Sequence, residues 1–344
     1  GRTGARGAYR AHHRPMPTAP RPSLPAILHP SPYRSILRLG PDARLLGLDP
    51  ATALAVDNLP PALAEMLDEL VGPVGRAELV ARVVMRGADA DEADSLLREL
   101  VAAGVLVDAA AVERQARSRA DSTVVVIGEG PITVGIVLGL AHGGVGAVHV
   151  ETAGPVLTDD LGTGYLDSDR GHERLTATRA ALRRLCPGVG TGPPPQRLVP
   201  DLVVLSDVLA PEPERVAQLH AAGTAHLCAR MRDGVGVVGP LVLPGRTACL
   251  GCVELLRCAS DPGWPTVAAQ LVGRRGRADP AAVRATAALA TAQVLAALDG
   301  TVSGGCPPPT LDATLELDLT AGTLVRRTWS PQPGCGCGTI TEAV

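Results

Sequence analysis

Two short cysteine motifs carry the clearest chemistry in the chain. Cys249-Leu250-Gly251-Cys252 is a C-x-x-C knuckle, and Cys335-Gly336-Cys337 is a second pair flanked by Gly334 and Gly338. Four soft thiolates on two knuckles suit a tetrahedral zinc ion; with four protein ligands no position is left for water, so the ion would be structural. The competing readings are a redox C-x-x-C or two disulfides. The first requires the pair to open a helix after a thioredoxin-like strand, and a C-x-C pair is too close for ordinary disulfide geometry. Cys186, Cys228, Cys258 and Cys306 are scattered and read as small buried residues.

A second candidate is the turn Gly128-Glu129-Gly130-Pro131-Ile132-Thr133. It holds two of the three glycines of a phosphate-cradling fingerprint, between a strand and a helix as that mechanism requires. The carboxylate of Glu129 and the missing N–H of Pro131 both weaken an anion site built on free donors and a helix dipole. At the end of the next strand Glu151 is placed to accept from a ribose hydroxyl. The competing reading is that Gly128 and Gly130 only allow strand and helix to pack closely.

The elements that must position these residues follow from the apolar pattern. Thr123 to Ile127 is a continuous apolar run bounded by Gly128, as expected of a strand buried on both faces of a parallel sheet. Helix 133–142 and strand 147–150 complete a βαβ unit. Helix 174–185, strand 201–205, helix 212–222 and strand 226–229 continue the alternation, which predicts an α/β, doubly wound, Rossmann-like sheet. Upstream, runs 34–39, 43–48 and 51–56 read as a small meander. Helices from Pro60-Pro61 to Leu70, over 76–85 and over 91–103, then a strand at 105–107, follow. That order outlines a winged-helix domain or a generic α+β cap.

The chain has 344 residues, room for about two domains. The predicted division is a disordered leader at 1–32, a small domain at 33–108, a polar linker at 109–121 and the α/β domain at 122–344. With no Phe, two Trp and three Tyr, the core must be built of Ala, Val and Leu. All 32 basic residues are Arg, so activities that need a lysine are excluded. A net charge of −3, with Arg spread along the chain, speaks against nucleic acid as a partner. The apolar stretch from Ile132 to Val150 is broken by glycines and His142, which argues against a membrane span. Residues 1–32 lack the apolar run of a signal peptide, so the expected location is cytoplasmic.

The order of elements resembles the ThiF/MoeB-type, ubiquitin-activating-like superfamily over roughly 123–338. The resemblance rests on the turn at 128–130, Asp169-Arg170-Gly171 before helix 174–185, and Leu185-Cys186-Pro187. It rests further on Asp207 after strand 201–205, Val238-Gly239-Pro240, the lead Pro244-Gly245-Arg246-Thr247-Ala248 into Cys249, and the late cysteine pair. That family adenylates a C-terminal carboxylate with ATP and magnesium. The resemblance implies a nucleotide site at Gly128, Gly130, Glu151 and Asp207, with Arg174 where the family has a lysine. The family's Asn-x-x-Arg element is not recognisable in 152–170. A guanidinium is no conservative replacement for an ammonium at a phosphate, so the adenylation centre reads as eroded and ATP–Mg as a doubtful cofactor.

A PqqD-like winged helix ahead of such a domain is similar to the leader-peptide-binding partners of YcaO cyclodehydratases, which make azole- and azoline-modified peptides. Ala248 to Pro265, with Asp261 and Trp264-Pro265, shares that similarity. The resemblance implies that the small domain pairs the leader of a precursor peptide as an added strand, along Ala51, Leu54 and Val56 and helix residues Leu96, Leu97 and Leu100. Those three leucines read equally well as plain core. The expected function is a peptide-presenting scaffold that leaves ATP chemistry to the YcaO partner. The alternatives are an active adenylating enzyme acting on a peptide or carrier-protein carboxylate and, more remotely, a nicotinamide-dependent oxidoreductase. Related activating enzymes are often dimers, so a homodimer is a further expectation.

Overall fold

A computed structural model describes residues 24–190, 199–303 and 307–338. The chain divides into two compact units between Arg114 and Gln115. Residues 1–23 of the expected leader, Cys306 and residues 339–344 lie outside the described residues.

The first unit contains β1 (Ile27–Pro30), β2 (Ile36–Arg38), β3 (Arg44–Leu46), β4 (Leu54–Val56), α1 (Pro61–Asp68), β5 (Val74–Gly75), α2 (Arg76–Met85), α3 (Ala90–Ala102) and β6 (Leu106–Asp108). Two three-stranded sheets form, in the orders β2-β3-β4 and β5-β1-β6, and all pairings are antiparallel. The domain thus begins at least at Ile27, inside the span expected to be a disordered leader. Pro61, at the first turn of α1, fixes φ where no N–H is needed. Asp89 caps α3 by accepting from the N–H groups of Asp91 and Glu92 at 2.7 and 3.2 Å, and Gly104 ends it at φ +67°. The apolar faces of the helices close over Leu28, Leu46 and Leu106.

The expected linker is instead the helix α4 (Ala109–Asp121). Its Ala and Arg content, read as polar spacer, is equally a run of good helix formers.

The second unit carries β7 (Thr123–Ile127), α5 (Pro131–His142), β8 (Ala147–Glu151), α6 (Arg174–Leu185), β9 (Leu202–Ser206), α7 (Pro213–Ala221), β10 (His226–Arg232) and β11 (Val235–Val242). After these come α8 (Leu250–Ser260), α9 (Trp264–Leu271), α10 (Pro280–Ser303), β12 (Ala313–Asp318) and β13 (Thr323–Thr328). One seven-stranded sheet runs in the order β13-β12-β11-β10-β9-β7-β8. The strands β8, β7, β9 and β10 are parallel, and β11 to β13 extend them antiparallel. Alternate residues face opposite layers. Val124, Val126, Val204 and Ala229 pack with α5, α6 and α10, while Val125, Val203, Leu205 and Cys228 meet Val216 and Leu219 of α7 and Leu250 of α8. Helices on both faces make the sheet doubly wound.

Helix α10 over Pro280–Gly300 is long and apolar enough to cross a membrane by length and composition, yet half of it is buried inside the protein. It lies along α5 where small residues permit close approach. A Cβ on Gly135 would sit 2.8 Å from the Cβ of Ala287, and one on Gly139 would sit 2.7 Å from Oγ1 of Thr291. Gly135, Gly139 and Gly143, which break the apolar stretch after Ile132, are thus contact points for α10.

Candidate functional site: a glycine turn and a four-cysteine cluster

The chain leaves β8 and crosses over β7 to reach β9, so the winding direction reverses between β7 and β9. Ligands of open α/β sheets bind in the crevice at such a point, beyond the carboxyl ends of the strands. The sequence places Gly128 after β7 and Asp207 after β9, one on each side of it.

Asp207 fills the head of that crevice from within the protein. Its Oδ2 accepts from the N–H of Gly130 at 2.9 Å, from the N–H of Thr133 at 3.1 Å and from the Thr133 hydroxyl at 2.5 Å. Its Oδ1 accepts from the N–H of Ile132 at 3.1 Å. The carboxylate takes the free donors and positive dipole end of α5 that a nucleotide phosphate would use. Asp207 is 4 % exposed and holds a left-handed backbone with φ 69°, a conformation that Asp tolerates better than most residues. Complete burial raises its pKa above the ordinary carboxylate value, against the opposing pull of the four hydrogen bonds. Ser206 braces the turn: its hydroxyl lies 2.8 Å from that of Thr133 and donates to the carbonyl of Ile127 at 3.1 Å.

This arrangement explains both glycines. A Cβ at Gly128 would lie 2.6 Å from the Ser206 hydroxyl oxygen, and one at Gly130 would lie 2.5 Å from Oδ1 of Asp207. Each is glycine because another side chain already occupies the cradle.

The cysteine cluster forms as the spacing predicts. Cys249 precedes α8, Cys252 sits in its first turn, and the chain after β13 returns Cys335 and Cys337 to them. Sγ–Sγ separations are 3.8 Å for Cys249 and Cys252, 3.5 Å for Cys249 and Cys335, and 3.7 Å for Cys252 and Cys337. All four sulfurs lie within 4.8 Å of one another. Four ligands about 2.3 Å from a tetrahedral ion are about 3.8 Å apart, so the donor set is compatible with zinc. The N–H of Gln332 donates to Sγ of Cys252 at 3.3 Å, the kind of outer contact that orients a ligand. Burial pushes the Cys249 and Cys335 thiols above the usual range. The first pair does begin a helix, as the redox reading asked, but with two more sulfurs in reach it is part of a four-donor set.

No family model matches the sequence, and no curated protein sequence matches it. Solved structures do. The chain superposes on E. coli MccB solved with ATP at a TM-score of 0.69 and 15 % identity, over 90 % of this chain and 99 % of that one. The microcin C7 biosynthetic enzyme MccB in complex with N-formylated MccA gives 0.68 at 15 % identity, over 91 % and 99 %. PaaA gives 0.59 at 14 % identity, over 88 % and 100 %. The chain shares the fold of these structures. At such identities the likeness concerns the fold, and the chemistry has to be read from the residues.

Of the residues that the ThiF-type resemblance assigned to a nucleotide, the structure brings only some together. A cleft of about 420 Å³ lies beyond the strand ends, lined by Gly128, Glu151 and Glu212 among others; that size suits a small-molecule site. Glu151 stands where a ribose acid would, half-exposed and paired with Arg215 at 3.2 Å. Gly130, Asp207 and Arg174 do not line it. Arg174 is 3 % exposed, its Nε and Nη2 donating to Asp160 at 3.1 and 2.9 Å and its Nη1 to the carbonyl of Ala153 at 2.6 Å. Its guanidinium is thus engaged by protein acceptors on all three nitrogens. Asp160 has no exposed surface and also accepts from Arg275 at 3.2 Å, and Arg275 donates to the carbonyl of Glu129 at 2.5 Å. Asp160, Arg275 and Arg215 were not legible as site residues, because nothing local marks them.

In the first unit β4 pairs only with β3, and its far edge carries no strand among the described residues. Leu54 and Val56 lie in β4, half-buried; Ala51 is exposed in the turn before it, so the expected strand 51–56 shortens to 54–56. Leu96, Leu97 and Leu100 are core, at 7 %, 0 % and 0 % exposure.

Proposed function

We propose that the protein captures the leader of a ribosomally made precursor peptide and presents the peptide to a YcaO-type cyclodehydratase, its ThiF-type unit serving as a zinc-clipped scaffold. The observation that carries the non-catalytic part is the Asp207 carboxylate on the N-terminus of α5. A phosphate competing for those donors must displace a buried group with four hydrogen bonds, and the Arg174 side chain, set at the phosphate by the resemblance, is committed to Asp160.

For leader capture, the support is the bare edge of β4 beside half-buried Leu54 and Val56, in a unit whose order of three helices and short strands suits a winged helix. An extended peptide added to that edge gains main-chain hydrogen bonds and seats alternate side chains against the sheet. The likeness to MccB, solved in complex with N-formylated MccA, is in keeping with a peptide-handling role. The zinc, held by Cys249, Cys252, Cys335 and Cys337, would fix residues 335–338 to the start of α8, with binding energy of order 10 kcal/mol in comparable sites. The expected setting is cytoplasmic.

The test is isothermal titration of the full chain with the leader peptide of a precursor encoded nearby. Val56→Asp should weaken binding at least about tenfold by placing an unpaired charge in the new interface, measured below the variant's own thermal midpoint because Val56 also packs on the core. Unchanged affinity in the variant would sink the β4 assignment. A second reading, an adenylating enzyme, is favoured by one observation, the 420 Å³ cleft beside Glu151; it requires Asp207 to swing out and ATP to enter.

A further inference from the structure

A separate cavity of about 860 Å³ opens on the α8 side of β10, lined by Leu256 of α8, Trp264 and Val267 of α9, and Trp329 after β13. Four arginines also line it, Arg230, Arg232, Arg257 and Arg327, and three of them are accounted for. Glu316 accepts from Arg232 at 3.1 Å and from Arg327 at 2.9 Å. Glu254 pairs with Arg257 at 3.1 Å and accepts from the Trp264 indole at 2.5 Å. The Arg257 guanidinium lies 4.9 Å from the centre of the Trp264 ring and 5.7 Å from that of Trp329, a cation–π sandwich.

Arg230 is the exception. It is 6 % exposed, and among the described residues no acid forms an ion pair with it, Asp233 and Asp261 on the cavity wall included. The polar side chain beside it is the thiol of Cys228, a weak acceptor. A guanidinium cannot shed its charge, and a buried cation without a partner is costly. The strain is shared: burial, followed by the nearness of Arg230, lowers the pKa of Arg257. Arg230 and Arg257 also line an adjoining apolar cavity of about 600 Å³ that reaches the cysteine cluster.

We propose that this cavity binds a small organic oxyanion, a carboxylate or phosphate ester on an apolar body, with Arg230 gripping the oxyanion and Trp264, Trp329 and Leu256 enclosing the body. The size falls within the range of small-molecule sites, and a guanidinium fork matches either oxyanion. The site is distinct from the cleft at Gly128 and Glu151, with which it shares only Ala210. It stands whether or not the first unit binds a leader peptide.

Trp264 and Trp329 are the only tryptophans in the chain, so its tryptophan emission reports on this cavity alone. The experiment titrates the full-length protein with cyclohexanecarboxylate, cyclohexyl phosphate and the uncharged cyclohexanecarboxamide while following that emission. The expected result is a saturable change with at least one anion, at least about tenfold tighter than with the amide and weakened at least about tenfold by Arg230→Met. The tighter of the two anions identifies the oxyanion. Arg257→Met, which keeps Arg230 and removes its cationic neighbour, is the second variant should R230M not fold, and it too should weaken the anions. No saturable change with either anion, equal affinity for the amide, or unchanged affinity in a folded variant would overturn the proposal.

Discussion

Asp207 and Thr133 meet twice: Oδ2 of Asp207 accepts from both the backbone N–H and the hydroxyl of Thr133, at 3.1 and 2.5 Å. The acid after β9 is thereby locked onto the first turn of α5, and the N–H groups at that helix terminus are met by an internal carboxylate. In the reading proposed above, this is what keeps a phosphate from the turn.

Removing that carboxylate should have two effects. Asp207→Ala strands the N–H groups of Gly130, Ile132 and Thr133 in a buried place and should cost about 2–3 kcal/mol, read from the denaturant midpoint. The emptied helix terminus becomes an anion site, so phosphate or sulfate should raise the thermal midpoint of the variant more than that of the parent. Equal shifts in the two proteins would mean that the α5 terminus was never the site Asp207 blocks.

The contact between α5 and α10 offers a test of packing. Gly139→Ala places a methyl group 2.7 Å from Oγ1 and 3.0 Å from Cγ2 of Thr291, and overpacking of this kind costs about 1–3 kcal/mol. Thr291→Ala removes the obstructing atoms, so the double variant should be more stable than the two single losses added together predict. Simple additivity would show that the helices separate instead of clashing.

How much of this was legible follows from how local each cause is. The strand β7, the turn after it and α6 are written in contiguous residues, and the cysteine spacing names its own donors. By contrast, β1 is four residues ending in Pro30, paired with β5 and β6 some distance along the chain, and no local pattern announces such a strand. Helix α10 has small side chains all round and so no apolar stripe to read. The leucines of α3 showed helical spacing, but spacing says only that a face is buried, not whether core or peptide buries it. Asp207 was singled out by the ThiF-type resemblance; its contacts depend on donors 74 to 77 residues away that only the folded sheet brings to it.

The four cysteines should hold one zinc per chain, measured by elemental analysis of protein purified without added metal. Cys252→Ser and Cys337→Ser should each lose the metal and lower the thermal midpoint, and a strong chelator should reproduce the loss in the parent protein. Because the ligands must be deprotonated, the zinc should leave as the pH falls. A full complement of zinc in Cys252→Ser would rule out this cluster as its site.

The central claim, that Asp207 closes the turn against a nucleotide, is tested most directly by ATP–pyrophosphate exchange on the zinc-loaded full chain with magnesium and the complete precursor peptide. The account predicts no exchange above that of a heat-inactivated control. Exchange that depends on the peptide and is abolished by Asp207→Ala would contradict it and establish an adenylating enzyme in which Asp207 turns outward to serve the nucleotide.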